Sequence, residues 1–206
     1  MKLAAFVGTK GRGSNLMAIQ SAILSGKLPA QLVAVIGTKA DAPALDRARQ
    51  AGIPTLVVPV GDGYDQRLLS ALESAGADSI ALTGYLRKLP EEVVTRFRWR
   101  ILNVHPALLP SFGGKGMYGH HVHEAVIAHG CKVSGCTVHF VDSEYDTGPI
   151  IIQRVVTVEE SETPESLAAR ILPAAHDALL EALRLLAWGR LTLDGRRVRI
   201  SASVPL

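Results

Sequence analysis

The sequence predicts an α/β fold: a mostly parallel, doubly wound, Rossmann-like sheet with helices on both faces, followed by a long C-terminal helix and a small hairpin. Apolar strand-like segments alternate with amphipathic helical segments through the first half of the chain. Strands that are separated by helices form right-handed βαβ units, in which the strands run parallel. A chain of 206 residues is long enough to build such a fold around its own aliphatic core.

The individual elements follow from local signals. Residues 3–7 form a first apolar strand, and the helix after it has Leu16, Ile19 and Ile23 at helical spacing before Gly26 ends it. Further strands are predicted over residues 32–36, 53–58, 78–82, 135–141 and 150–158, with one more ending at residue 104. Further helices are predicted over residues 44–51, 64–75 and 91–96, near residue 120, and from residue 164 onward. A hairpin on an Asp-Gly turn is predicted over residues 191–200.

Composition excludes several classes of function. The net charge is +3, but the sequence contains no run of basic residues, so we predict no nucleic-acid partner. The positive charge suits an anionic small substrate. No apolar stretch is long enough to span a bilayer, and the first residues enter a strand instead of a signal peptide. We therefore predict a cytoplasmic protein without a membrane partner. Cys131 and Cys136 are expected to be free thiols, since no second pair completes a metal site.

A glycine-rich turn follows the first strand. Arg12, Gly13, Ser14 and Asn15 lie where this strand passes into a helix, and the backbone N–H groups of such a turn can bind a phosphate. The dinucleotide-binding fingerprint is incomplete, because Leu16 occupies its third small position. We predict a site for a phosphate monoester, and a tight turn that binds nothing is the alternative.

The strand that ends at residue 104 carries an amide and an imidazole. Asn103 and His105 are two residues apart, so their side chains leave an extended segment on the same side. Pro106 biases His105 away from helical conformation, and we expect His105 to lie on a loop after the strand. The pair predicts half of a catalytic site; a turn-capping asparagine beside an ordinary loop histidine is the alternative.

Asp146 is the candidate carboxylate to join this pair. The segment Thr147-Gly148-Pro149 holds it in a tight turn, whereas Asp142 and Glu144 precede it in the same turn. A solvated acidic turn without a function is the alternative.

Three clustered histidines raise the question of a metal. His120, His121 and His123 begin a predicted helix, and only the first and third share a face of it. We predict a solvated helix start or a substrate contact here, and no metal.

Four segments together resemble the glycinamide ribonucleotide formyltransferases, which are folate-dependent enzymes of purine synthesis. They are residues 13–16, residues 84–89, residues 103–110, and residues 138–141 followed by 146–149, in the same order along the chain as in that family. Each segment alone is a modest signal, but four in order are specific.

The resemblance implies transfer of a formyl group from 10-formyltetrahydrofolate to the glycine amine of 5'-phosphoribosylglycinamide, by direct attack of the amine and without a metal. It implies that Asn103, His105 and Asp146 are catalytic, and that residues 12–15 bind the substrate phosphate. The folate-binding residues that it implies are Leu86, Arg87, Lys88, Leu89, Asn103, Val141 and Asp142. A carboxylate beside His105 would favour the charged imidazole, so we expect the pKa of His105 to be raised.

In these terms residues 1–206 are predicted to form a single formyltransferase domain. Its substrate-phosphate half covers residues 1–100, its catalytic and folate half covers residues 101–188, and a terminal hairpin covers residues 189–206. Two positions depart from the family pattern: Arg67 is only a candidate for the arginine that contacts folate, and Ala175 replaces a glutamate that grips the substrate.

Other functions stay open on the sequence alone. The chain could be a related formyltransferase for another acceptor such as a sugar amine, a formyl-folate hydrolase that uses water, or a non-catalytic nucleotide-binding module. Both a monomer and a homodimer are compatible with the sequence.

Overall fold

The computed structural model describes residues 1–202, so the last four residues of the predicted terminal hairpin segment lie outside it. Two compact units divide the chain, Met1–Leu102 and the residues from Asn103 onward. In chain order the elements are β1 (Lys2–Val7), α1 (Ser14–Leu24), β2 (Gln31–Gly37), α2 (Pro43–Gln50), β3 (Thr55–Val57), α3 (Tyr64–Ser74), β4 (Ser79–Thr83), α4 (Glu91–Arg96), β5 (Ile101–His105), α5 (His120–Ala128), β6 (Val133–Phe140), β7 (Ile150–Thr157), α6 (Pro164–Ala187), β8 (Leu191–Asp194) and β9 (Arg197–Ile200).

The first unit contains the doubly wound part of the fold. Its strand order is β3-β2-β1-β4, and every pair in it is parallel. Because crossovers are right-handed, the reversal of direction after β3 places α3 on the face opposite to α1 and α2. The central strand β1 is accordingly apolar and buried from Leu3 to Val7, as expected of a strand that is covered on both faces.

The reversal of strand order creates a switch point where β1 and β4 end side by side. Gly8 follows β1, and a Cβ atom on it would lie 2.2 Å from the carbonyl oxygen of Gly84, which follows β4. Only glycine permits this close approach of the two backbones. Ligands of open α/β sheets bind at such carboxyl ends of strands, so the glycine-rich turn and residues 84–90 begin at a favourable place.

The second unit combines an antiparallel pair with the long helix. Strands follow one another in the order β5-β6-β7, β6 and β7 pair antiparallel, and α6 packs against both. The helix starts on a capping box, in which Thr163 accepts from the N–H of Ser166 and the Ser166 hydroxyl accepts from the N–H of Thr163. This confirms the predicted fold class of a mostly parallel sheet with a long C-terminal helix and a hairpin.

The structure corrects three local predictions. Strand β3 spans only Thr55–Val57 instead of residues 53–58. The hairpin turn consists of Gly195 and Arg196, because Asp194 is still paired with Arg197 as the last residue of β8. His105 is not on a loop: it is the last residue of β5 and is buried.

Among residues 1–202, no helix combines the length and apolar character that crossing a bilayer requires.

Candidate active site

The glycine-rich turn of the first unit exposes a helix start. Gly13 has a φ of 74° at the N-terminus of α1, and no side chain caps that helix. A Cβ atom on Gly13 would lie 2.9 Å from the Cβ atom of Ala44, so both the backbone angle and the space require glycine. The first N–H groups of a helix have no acceptor within it, so they are available to an anion.

The side chains of this turn also leave polar groups available. Arg12 and Ser14 are exposed, and Asn15 is half-buried with an Oδ1 atom that has no hydrogen-bond partner. The Arg47 guanidinium donates to the backbone carbonyl of Arg12 at 3.0 Å, which ties the turn to α2. The structure therefore places the four predicted phosphate-binding residues in one turn at an uncapped helix start, where backbone N–H groups are available.

The second predicted binding segment of this unit is held at both ends. Tyr85 is buried, its hydroxyl lies 2.6 Å from that of Tyr64, and its ring packs edge-on against Phe6. Leu89 is also buried, whereas the three residues between these anchors are exposed. Leu86, Arg87 and Lys88 thus form a displayed segment, in which an apolar side chain precedes two cations.

In the second unit, the structure brings together the three predicted catalytic side chains. His105 Nδ1 lies 3.5 Å from Asp146 Oδ2, and Asn103 Nδ2 donates to Asp146 Oδ1 at 3.4 Å. The imidazole of His105 is 4% exposed and the carboxylate of Asp146 is 11% exposed. The cluster is therefore shielded from water, where electrostatic interactions are stronger than on the surface.

Residues 112–114 hold both His105 and Asp146. The N–H of Gly114 donates to Asp146 Oδ2 at 2.9 Å, and His105 Nε2–H donates to the carbonyl of Phe112 at 2.8 Å. Because a carbonyl can only accept, the proton of a neutral His105 is on Nε2, and Nδ1 faces the carboxylate.

A fourth polar side chain, His139, belongs to this cluster and was missed by the sequence analysis. It is 2% exposed on β6, and its Nε2 lies 3.2 Å from Asn103 Nδ2 and 3.6 Å from Asp146 Oδ1. Its Nδ1–H donates to the carbonyl of Phe140 at 2.8 Å, so in the neutral ring Nε2 accepts from Asn103. The sequence placed His139 in one of the four family-like segments, but nothing along β6 indicated which strand lies beside it.

The pKa of His105 differs from the prediction. Burial lowers it and outweighs Asp146 and the Phe112 carbonyl, which both raise it, so the pKa lies below its ordinary value. The expectation of a raised pKa is wrong, because it considered the carboxylate without the loss of water.

The pKa of Asp146 also reflects opposing causes. Burial raises it, but the neighbouring imidazoles of His139 and His105 and the N–H of Gly114 together outweigh burial. The pKa of Asp146 therefore lies below its ordinary value, and the carboxylate is charged near neutral pH.

Two predicted folate-binding residues flank the cluster. Val141 follows β6 and is half-buried. Asp142 Oδ1 accepts from the hydroxyl of Thr147 at 2.7 Å and from the N–H of Glu144 at 3.2 Å. Asp142 thus shapes the turn that carries Asp146.

Two of the three histidines of α5 share an exposed carboxylate, and the third is buried. His120 Nε2 lies 3.2 Å from Glu124 and 3.4 Å from Glu165, and His121 Nδ1 lies 3.1 Å from Glu124. His123 is buried with an unpartnered Nδ1, so the expectation of a solvated helix start is wrong for this residue. Among residues 1–202, no group of three or more His, Cys, Asp or Glu side chains is placed to hold a metal ion. The absence of a metal remains a prediction.

The remaining candidates are accounted for by local contacts. Both Cys131 and Cys136 are free, as predicted, and burial raises the pKa of Cys136 to about 11, which makes it a poor nucleophile. The Arg67 guanidinium donates to the carbonyls of its own preceding loop, at Pro59 and Asp62. Ala175 is buried in α6.

The chain is an α/β protein with a doubly wound sheet. In this class, polar side chains gathered at strand ends bind ligands or catalyse reactions. Residues 1–183 match the family model described as formyl transferase. The chain belongs to this family.

Individual relatives agree with that family. The chain is 44% identical over 188 residues to a chloroplastic phosphoribosylglycinamide formyltransferase of Arabidopsis thaliana, covering 88% of this chain and 64% of that protein. It is 36% identical to the phosphoribosylglycinamide formyltransferase of Escherichia coli, covering 91% of this chain and 92% of that protein. The crystal structure of glycinamide ribonucleotide transformylase 1 from Symbiobacterium toebii superposes with a TM-score of 0.88 at 41% identity, covering 97% of this chain and 93% of that chain. The chain thus spans slightly less than two thirds of the plant relative's length.

Proposed function

We propose that this protein transfers a formyl group from 10-formyltetrahydrofolate to the glycine amine of 5'-phosphoribosylglycinamide, in the purine synthesis that leads to IMP. The observation that carries the proposal is the buried cluster of Asn103, His105 and Asp146 in a chain of the formyl transferase family. The name of the Escherichia coli relative, which matches over nearly the whole of both chains, supports the choice of substrate.

The cluster suits direct attack of an amine on a formyl carbonyl. Its four polar side chains are an amide, two imidazoles and a carboxylate, none of which is a nucleophilic hydroxyl or thiol. As the amine attacks, negative charge develops on the formyl oxygen, and donors that are already positioned in a dry site stabilise that charge best.

Asn103 is the proposed donor to that oxygen. Its amide nitrogen has two hydrogens: one is directed at His139 Nε2 over 3.2 Å, and the other at Asp146 Oδ1 over 3.4 Å. The formyl oxygen can replace Asp146 as the acceptor of the longer hydrogen bond. His139 would then keep the amide in place, as a positioning residue that does not itself touch the substrate.

His105 is the proposed acid. Its Nε2–H is engaged by the Phe112 carbonyl, so the proton it exchanges is the one on Nδ1, beside Asp146. Because the pKa of His105 is below its ordinary value, most of the free protein has a neutral imidazole at pH 7. His105 takes up the proton of the attacking amine, and Asp146 stabilises the charged ring that results. This ring can then protonate the departing folate nitrogen.

The two predicted binding segments keep their assignments as proposals. Residues 12–15 would hold the phosphate at the start of α1. Residues 86–89, together with Asn103, Val141 and Asp142, would contact the folate. We also propose a cytoplasmic location, one formyltransferase domain over the chain, and no nucleic-acid or membrane partner; the oligomeric state stays open.

A single assay tests the proposal against its alternatives. The protein is mixed with 10-formyltetrahydrofolate, with and without phosphoribosylglycinamide, and deformylated folate is followed by absorbance while the formylated acceptor is detected by mass spectrometry. We expect both products only when both substrates are present. Deformylated folate without an acceptor would indicate a hydrolase instead, and no turnover with either mixture would contradict the proposal.

A further inference from the structure

The loop that carries Asp146 is backbone-strained. Asp146 has a φ of 57°, in the left-handed region that residues other than glycine seldom occupy. Such a conformation persists only where surrounding contacts enforce it. The position of the carboxylate therefore depends on what holds the loop, and not only on the groups that touch the carboxylate.

One side of this loop is held by the end of β6. Gly148 packs so closely on it that an added Cβ atom would lie 1.7 Å from the carbonyl oxygen of Phe140. The hydroxyl of Thr147 donates to Asp142, as described above. These contacts hold the turn, but neither of them engages the backbone carbonyl of Thr147.

That carbonyl accepts a hydrogen bond from Arg196. The Arg196 guanidinium reaches it from the two-residue turn of the C-terminal hairpin, 49 residues further along the chain. The hairpin is a firm base for such a contact, because β8 and β9 are paired and β9 packs against β7. Arg196 and Asp146 also line the same pocket, of about 250 Å³, together with Tyr145 and Thr147.

We propose that Arg196 is a positioning residue, which holds the Thr147 carbonyl and thereby keeps the Asp146 carboxylate beside His105. The inference rests on the proposed function for its catalytic consequence, and it concerns a residue beyond the 1–183 stretch that matches the family model. Arg196 acts through the backbone of the Asp146 turn and does not itself touch the cluster.

The consequence of losing Arg196 follows from the charges around His105. Asp146 favours the protonated ring, whereas burial and His139 on β6 disfavour it. His123 on α5 also faces His105, whose charge lowers the pKa of His123. A looser turn lets the carboxylate spend time away from Nδ1 while His139 stays in place. The protonated ring of His105 then becomes less stable. Turnover falls because the proposed reaction passes through that protonated ring.

Three variants of the intact protein test this inference. Arg196→Ala removes the contact, Arg196→Lys keeps a cation that can still donate, and Arg199→Ala is the matched control that removes an arginine from the same hairpin. For each variant kcat and both KM values are measured, and the titration of His105 is followed by NMR. We expect Arg196→Ala to lower kcat about five- to tenfold, which lies within the range that one ordinary hydrogen bond contributes. Both KM values should stay within twofold, and His105 should titrate at lower pH.

The outcomes separate a positioning role from a structural one. Arg196→Lys should recover part of kcat and of the titration, while Arg199→Ala should match the wild type in both. Equal behaviour of Arg196→Ala and Arg199→Ala, or a change in KM alone, would overturn the inference. Because the His105 titration needs no turnover, it decides the Arg196 contact even if the wild type transfers no formyl group, which would defeat the proposed function instead.

Discussion

The turn at the start of α1 and the cluster around Asp146 use polar residues in opposite ways. In the turn, Arg12 and Ser14 are exposed, and the groups available to a ligand are mainly backbone N–H groups at an uncapped helix start. In the cluster, His105 and His139 are buried, and each hydrogen-bonding atom faces another side chain or a carbonyl. The turn can bind a charged ligand from solution, whereas the cluster holds its own polar side chains in a fixed arrangement.

This difference teaches how the two regions should respond to substitution. Backbone donors at a helix start bind an anion equally well before and during the reaction, so their loss should raise KM. Buried side chains with shifted pKa values act on charge that develops during the reaction, so their loss should lower kcat. Variants in each region test this division.

His105→Ala should lower kcat by about two to four orders of magnitude, because it removes a positioned acid. KM for both substrates should change much less. Since His105 is buried at the end of β5, the variant also leaves a small cavity, and its folding must be checked by circular dichroism before the kinetics are read. His121→Ala, which removes an exposed histidine, is the control and should behave like the wild type. Near-normal turnover of folded His105→Ala would end its assignment as the acid.

Asp146→Asn should lower kcat near neutral pH by about tenfold or more, because an opposite charge at this range shifts a pKa by about one unit or more. In the wild type, Asp146 raises the pKa of His105 against the larger effect of burial. Its removal therefore moves the His105 titration to still lower pH, and the protonated ring that forms when His105 takes up the amine's proton becomes less stable. The measurements are the pH dependence of kcat and the NMR titration of His105.

The matched control for this charge change is Asp142→Asn, in the same turn. Asp142 bonds Thr147 and Glu144 rather than His105, so its variant should keep the His105 titration of the wild type. If Asp142→Asn is the crippled variant and Asp146→Asn stays active, the two residues have exchanged roles relative to the proposal.

Gly13→Ala should raise KM for phosphoribosylglycinamide about tenfold, and leave KM for the folate and kcat within about twofold. The new methyl group meets Ala44, and the φ of 74° disfavours any side chain, so the turn must shift. Gly26→Ala is the control: its φ is 71°, but it faces open space at the other end of α1. Inorganic phosphate should compete with the ribonucleotide and not with the folate. A loss of kcat alone in Gly13→Ala would break the division between the two regions.

Strong chelation should produce the smallest effect, which is none. Amine formylation needs no activated water, and His120 and His121 are occupied by Glu124. Activity is measured after extended dialysis against EDTA, together with the metal content of the protein. If dialysis removes stoichiometric zinc together with activity, the prediction is wrong, and the histidines of α5 become the candidate ligands.

Local pattern was enough to predict much of the fold and part of the site. Alternating apolar segments predicted the βαβ order, and the spacing of Asn103 and His105 predicted that both face one side of β5, where both approach Asp146. Pattern failed where a second strand matters. His139 joins the cluster only because β6 lies beside β5, and no spacing within β6 could indicate which side chains it meets. The contact of Arg196 with Thr147 was beyond prediction for the same reason.

What the sequence by itself determined is therefore the order of elements and the residue types at their ends, because strand alternation, helix spacing and glycine turns are properties of neighbours along the chain. The tertiary structure alone decided the burial of His105 and with it the direction of its pKa, since the loss of water depends on residues far apart in sequence. It also decided which oxygen of Asp146 faces which histidine, because the strained turn around that residue is held by β6 and the hairpin together. Desolvation depends on packing, and it lowered the pKa of His105, which the carboxylate alone would have raised.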